Sequence, residues 1–177
     1  MIRFFALALF SVVWLPASCQ EEEVAEQIAL EQVGDIPPVT WIEFQDALIA
    51  ADTLGKALLV DVYATWCPWC AKMQDSVYTQ DRIRSYVAEH FVTARLNVEK
   101  EDDQINFKGY TLNSAELASG FGAEATPTTV FLTSTGDYIT RLPGYLDADG
   151  FMHVLRYIGT EAYKHKSFQD FVDEEAG

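Results

Sequence analysis

Two cysteines three residues apart, Cys67 and Cys70 in the stretch ATWCPWCAKM, are the side chains here best suited to chemistry. Such a pair could supply half of a metal site, close a small disulfide loop, or pass two electrons by thiol–disulfide exchange. A structural zinc site needs four ligands. There is no second C-x-x-C, and His90, His153 and His165 are scattered without ligand spacing. A disulfide across so short a loop removes little entropy from the unfolded chain. Exchange fits the spacing best: one thiolate attacks a disulfide, and a second sulfur within reach resolves the mixed disulfide.

Thiolate rather than thiol is the reactive species, so the pair needs a setting that favours the anion. Ala57 to Ala64 (ALLVDVYA) is an apolar, β-branched run that reads as a buried central strand. Pro68 then suits the first turn of a helix whose register continues toward Met73 and Val77. Cys67 would sit at the N-terminus of that helix, where unpaired N–H groups and a partial positive charge stabilise an anion. Lowering its pKa from about 8.5 to about 7 is worth roughly 2 kcal/mol and raises the thiolate fraction at pH 7 from about 3% to about half.

One residue is wrong for a buried strand. Asp61 lies six positions before Cys67, and a buried carboxylate is costly without a partner or a task. Desolvation should raise its pKa. It could exchange a proton with Cys70, through water, as Cys70 attacks or is regenerated. The alternative is a structural aspartate paired with Arg95 or a backbone group. Pro127, in ATPTTVFL, opens another strand. Proline cannot donate to a ladder and belongs at such a start, where the X-Pro bond can be cis.

The remaining elements follow from periodicity and turn residues. Thr40 to Glu43 fits a capping box for a helix carrying Trp41, Phe44, Leu48 and Ala51 and closed by Gly55. A helix from Gln80 to His90 leads into a strand from Phe91 to Val98. Glu99 to Asn113 reads as a small hairpin insertion and Ser114 to Gly120 as a short helix. Strands are expected at Thr128 to Leu132 and Tyr138 to Thr140 around a Ser134–Asp137 turn. Asp147 caps a last helix burying Phe151, Val154, Leu155 and Ile158, and Ser167 to Asp170 forms a second capping box. The order implies an α/β architecture, a central mixed β-sheet flanked by helices on both faces.

The 177 residues suit one domain with extensions, and a net charge of −15 makes nucleic acid or an anionic membrane surface a poor partner. Residues 1–19 read as a signal peptide: Arg3, a 12-residue apolar run from Phe4 to Leu15, then small residues. Cleavage near Ala17 to Cys19 is expected. Cys19 also resembles the acylated cysteine of bacterial lipoproteins, although Pro16 stands where such boxes prefer an apolar residue. Residues 20–39 form an acidic linker, 40–160 the domain and 161–177 a C-terminal tail. Export places Cys67 and Cys70 in a periplasmic or other extracytoplasmic space, where disulfides persist.

Across residues 40 to 160 these motifs resemble the thioredoxin-like thiol–disulfide oxidoreductases. LLVDVYATWCPWC is similar to the family's strand and active-site segment, ARLNV to the next strand with Arg95 in place of the usual Lys, ATPTTVFL to the cis-proline strand, and LPGY to a Gly-bearing loop near the site. The resemblance implies a thioredoxin fold, with Cys67 as nucleophile, Cys70 as resolving cysteine and Asp61 as the buried acid. It also implies a peptide groove between Trp66, the Cys67–Cys70 turn with Pro68 and Trp69, Thr126–Pro127 and Gly144. The cofactor expected is none beyond the redox-active disulfide, and no metal. The signal, insertion and tail further resemble exported SoxW-type thioredoxins. The expected activity is reduction of disulfides in partner proteins, by a monomer recharged from a membrane thiol carrier. Alternatives are a disulfide oxidase or isomerase on the same fold, or a non-catalytic peptide-binding chaperone. Trp69 should be exposed, and the tail aromatics Tyr163, Phe168 and Phe171 should pack on the domain.

Overall fold

The computed structural model describes residues 36–177. The expected signal peptide, Cys19 and the linker up to residue 35 lie outside the described residues.

In chain order the elements are α1 (Phe44–Leu54), β1 (Ala57–Tyr63), α2 (Pro68–Ser76), α3 (Asp81–His90), β2 (Phe91–Asn97), β3 (Ile105–Phe107), β4 (Tyr110–Leu112), α4 (Ser114–Gly120), β5 (Thr128–Leu132), β6 (Tyr138–Pro143) and α5 (Ala148–Gly159). A turn of 3₁₀ helix (Ala162–Lys164) and α6 (Phe168–Ala176) follow. The main sheet runs β2-β1-β5-β6, with β1 parallel to β2 and antiparallel to β5. The mixed sheet with helices on both faces is the arrangement expected of a thioredoxin fold.

Side chains alternate along a strand, so β1 feeds two cores. Leu58, Val60 and Val62 join Phe44, Ala47 and Ala51 of α1 and Leu117 of α4. Leu59 joins Met73, Val77, Tyr78, Ile83, Phe131, Phe151 and Leu155 on the other face, under α2, α3 and α5. Asp61, two residues after Leu59, belongs to this second face.

Three local expectations change. Residues 40 to 42 do not cap α1. Ile42 bridges to Ala94 and its N–H donates to the Thr93 carbonyl at 3.2 Å, so this segment is held extended and Glu43 is the N-cap, with no side-chain cap bond. Strand β6 extends to Pro143, past the expected Thr140, because backbone pairing with β5 continues to Thr128. Its exposed outer side leaves no apolar signal in the sequence. Ser167 does cap α6 by accepting the Asp170 N–H, but the Asp170 carboxylate accepts from the Ser167 hydroxyl instead of closing a reciprocal box.

The hairpin insertion is present. Lys108 and Gly109 both have positive φ, 50° and 86°, as a tight two-residue hairpin turn requires. The last segment lies on α5: the Tyr157 ring is 5.3 Å from Phe168 and 5.4 Å from Phe171, and 6.5 Å from Tyr163. Among the described residues no helix is long and apolar enough to cross a membrane.

Candidate functional site

The cysteine pair sits where β1 ends and α2 begins. Cys67 is the N-cap of α2 and Pro68 its first residue. Cys67 and Cys70 form a disulfide with Cα atoms 5.3 Å apart. The Cys70 N–H donates to Cys67 Sγ at 3.1 Å, so sulfur accepts one of the donors that the first helical turn leaves unpaired. Both cysteines are buried against Ala64, Tyr63 and Val98. The flanking tryptophans are not: Trp66 is 70% and Trp69 53% exposed, as expected for Trp69.

Strands β1 and β2 and helix α2 hold a buried polar cluster. Asp61 is 1% exposed and registers across the sheet with Arg95 on one side and Thr129 on the other. Its Oδ2 accepts from Arg95 Nε at 3.0 Å and from Gln74 Nε2 at 3.2 Å, and Arg95 Nη2 lies at ion-pair distance, also 3.0 Å. Its Oδ1 has no hydrogen-bond partner. Burial pushes the Asp61 pKa up from 3.8 to about 6, against the opposing pull of Arg95. Arg95 is itself caged: its guanidinium carbon lies 3.9 Å from the Tyr63 ring centre and 5.4 Å from that of Trp41. Tyr78, buried nearby with its hydroxyl unpaired, is pushed well above the usual phenol range by burial and then by Asp61.

The groove is a cavity of about 320 Å³ lined by Trp69, Thr126, Pro127, Gly144 and Tyr145. The Thr126–Pro127 bond is cis, and the Gly144 N–H returns to the Pro127 carbonyl at 2.8 Å. Gly144 has φ 82°, a conformation that side-chain-bearing residues rarely adopt. Thus Trp69, Thr126, Pro127 and Gly144 come together as expected. Trp66 and Pro68 do not line this cavity.

Sequence reasoning missed four participants. Gln74 lies one turn beyond Cys70 on α2, and that spacing could have placed it over the strand bearing Asp61. Tyr145 follows Gly144 and carried no separate signal. Lys72 holds its ammonium 4.9 Å from the Trp69 ring centre and 4.8 Å from that of Tyr145. Glu99 accepts the Thr65 N–H at 2.5 Å, which ties the start of the insertion to the cysteine loop, and this bond holds the Glu99 carboxyl below its usual pKa. Among the described residues no three His, Cys, Asp or Glu side chains converge as a metal site would require.

A family model described as a thioredoxin-like domain matches residues 44–159. Among curated proteins, the "Thiol:disulfide interchange protein DsbD" of Actinobacillus pleuropneumoniae is 26% identical over 160 residues, covering 87% of this chain and 24% of that protein. The protein of the same name from Ralstonia nicotianae is 28% identical over 116 residues, 64% of this chain and 17% of its own. The chain therefore spans no more than about a quarter of the length of these relatives. Among solved structures, a thioredoxin-fold protein from Helicobacter pylori aligns with a TM-score of 0.56 and 26% identity, over 68% of this chain and 80% of its own. A disulphide-isomerase-like protein from Bacteroides thetaiotaomicron aligns with a TM-score of 0.53 and 29% identity, over 69% and 91%.

Proposed function

The chain belongs to the thioredoxin-like family, whose chemistry is thiol–disulfide exchange, and from that premise we propose that it reduces disulfides in partner proteins outside the cytoplasm. The observation that carries this reading is the Cys70 N–H aimed at Cys67 Sγ, 3.1 Å away, at the start of α2. In the reduced protein the same N–H and the helix dipole stabilise a Cys67 thiolate.

In the reaction, the Cys67 thiolate attacks one sulfur of the partner disulfide. The partner S–S bond breaks, its other sulfur leaves as a thiolate, and a mixed disulfide forms. Cys70 loses its proton to Asp61 Oδ1, directly or through one water, and attacks Cys67 Sγ. The second partner sulfur leaves, and the Cys67–Cys70 disulfide is the oxidised product. Two electrons pass to the partner. An acid with a pKa of about 6 can take and return a proton near neutral pH, and Oδ1 is the oxygen not committed to Arg95 or Gln74. Trp69, Thr126, Pro127, Gly144 and Tyr145 shape the groove that receives the partner segment, and the exposed Trp66 flanks the cysteine turn outside it.

Space outside the cytoplasm is kept oxidising, so a reductant there must be recharged. We assign that task to a membrane thiol carrier. The likeness to proteins named for thiol:disulfide interchange is consistent with such a chain of exchanges. The decisive test is the reduction potential of the Cys67–Cys70 pair, by equilibration with dithiothreitol or glutathione and thiol alkylation. A value at or below roughly −250 mV fits a reductant; a value of roughly −120 to −180 mV makes the protein an oxidant or isomerase. Replacing Cys67 by Ser should abolish turnover, whereas a peptide-binding chaperone would keep its function.

A further inference from the structure

The protein carries 27 acidic residues against 12 lysines and arginines, so most of its cations should find a carboxylate. Lys100, Lys108, Lys164 and Lys166 each do. Lys56 donates instead to the Ala88 carbonyl at 3.0 Å. Lys72 has no carboxylate within ion-pair distance among the described residues, although Asp75 follows it by one turn of α2. Its ammonium lies over two aromatic faces instead, 4.9 Å from Trp69 and 4.8 Å from Tyr145. Those rings are themselves in contact, with centres 5.4 Å apart, and both line the groove. The Tyr145 hydroxyl is 3.3 Å from Ser76 Oγ, which ties the loop after β6 back to α2.

The result is a cation fixed at the rim of the groove with its other side open to solvent. Two rings restrict the side chain, so little further freedom is lost when an anion docks. The rings satisfy the ammonium electrostatically but offer it no hydrogen-bond acceptor oxygen. A carboxylate would supply one and would meet no competing acid within ion-pair distance.

We propose that Lys72, held by Trp69 and Tyr145, is a carboxylate-recognising subsite, and that the protein prefers partner segments with Asp or Glu beside the disulfide it attacks. This rests on the exchange reading above. The overall negative charge does not cancel the preference, because distant charges are screened beyond about 8 Å at physiological salt while a contact pair is not. The subsite selects acidic segments by contact, not by long-range steering.

The test uses three synthetic peptides, each with one internal disulfide and identical except for Glu, Gln or Lys next to the cysteines. The second-order rate constant of the prereduced full chain is measured with each. The same peptides react with dithiothreitol, and dividing by those rates removes their intrinsic reactivity. The corrected Glu-to-Lys ratio should be roughly threefold to tenfold at low salt and should shrink at high salt. It should fall to about one in Lys72→Met and invert in Lys72→Glu. The ratio is insensitive to any uniform change in the reactivity of Cys67. A wild-type ratio near one, or one unchanged in Lys72→Met, overturns the subsite and leaves the exchange reading standing. If none of the peptides is reduced, the exchange reading fails and the subsite with it.

Discussion

The two faces of one sheet are built to different rules. Between β1 and α1 the packed side chains are apolar and hold no charge: Phe44, Ala47, Ala51, Leu58, Val60 and Val62. Between β1 and α2, Leu59, Met73 and Phe131 are just as buried, yet the same layer holds Asp61, Arg95 and the hydroxyl of Tyr78. A buried ion pair gives little net stability, because desolvation offsets its Coulomb energy. The first face supplies stability. The second gives some of it up to hold a titratable acid against the helix that carries the cysteines.

The largest effect expected from this contrast is on the dry face. Phe44→Ala should cost about 3 to 5 kcal/mol in urea unfolding. The reduction potential of the folded protein should stay within about 30 mV of wild type, and a larger change would show that the faces are not independent. On the polar face, Arg95→Ala strands a buried carboxylate. It should cost about 2 to 4 kcal/mol at pH 7, and less at pH 5, where Asp61 is mostly protonated. The Asp61 pKa, followed by carboxyl NMR, should climb above its value of about 6 once the opposing cation is gone.

Asp61→Asn should act in the opposite sense on stability. A carboxyl whose pKa is about 6 folded and 3.8 unfolded binds its proton more tightly in the native state. Its contribution is favourable below the unfolded value and is lost as pH rises through the folded one. The full difference is about 3 kcal/mol at 1.36 kcal/mol per pH unit. The variant should therefore gain about 1 to 2 kcal/mol at pH 7, less than the full difference because Arg95 loses its ionised partner, and the decline in stability between pH 4 and 6 should flatten. Thiol exchange should slow by about tenfold to hundredfold. The smallest effect is that of Gln74→Leu, below about 1 kcal/mol, because Arg95 still satisfies Oδ2. A stable but sluggish Asp61→Asn protein is the sharpest support for the contrast. One that is both unstable and fully active would break it.

Legibility in the sequence was uneven for physical reasons. The cysteine spacing, the apolar β1 run and Pro68 together fixed the strand-to-helix junction, because each is a local signal. Asp61 stood out as a charge in an apolar run. The length of β6 was hidden because an edge strand alternates weakly and is held by backbone pairing. The false capping box at Thr40 arose because a local motif lost to a tertiary bridge between Ile42 and Ala94.

From the sequence alone came the thiol pair, its place at a helix N-terminus, the buried acid and the proline-opened strand, all set by neighbours within a few residues. Tertiary structure alone decided which partners meet. Arg95 reaches Asp61 because two parallel strands register them side by side, and Lys72 meets Tyr145 because the loop after β6 folds back onto α2. Such contacts join residues far apart in the chain, and no local pattern encodes the distance between them.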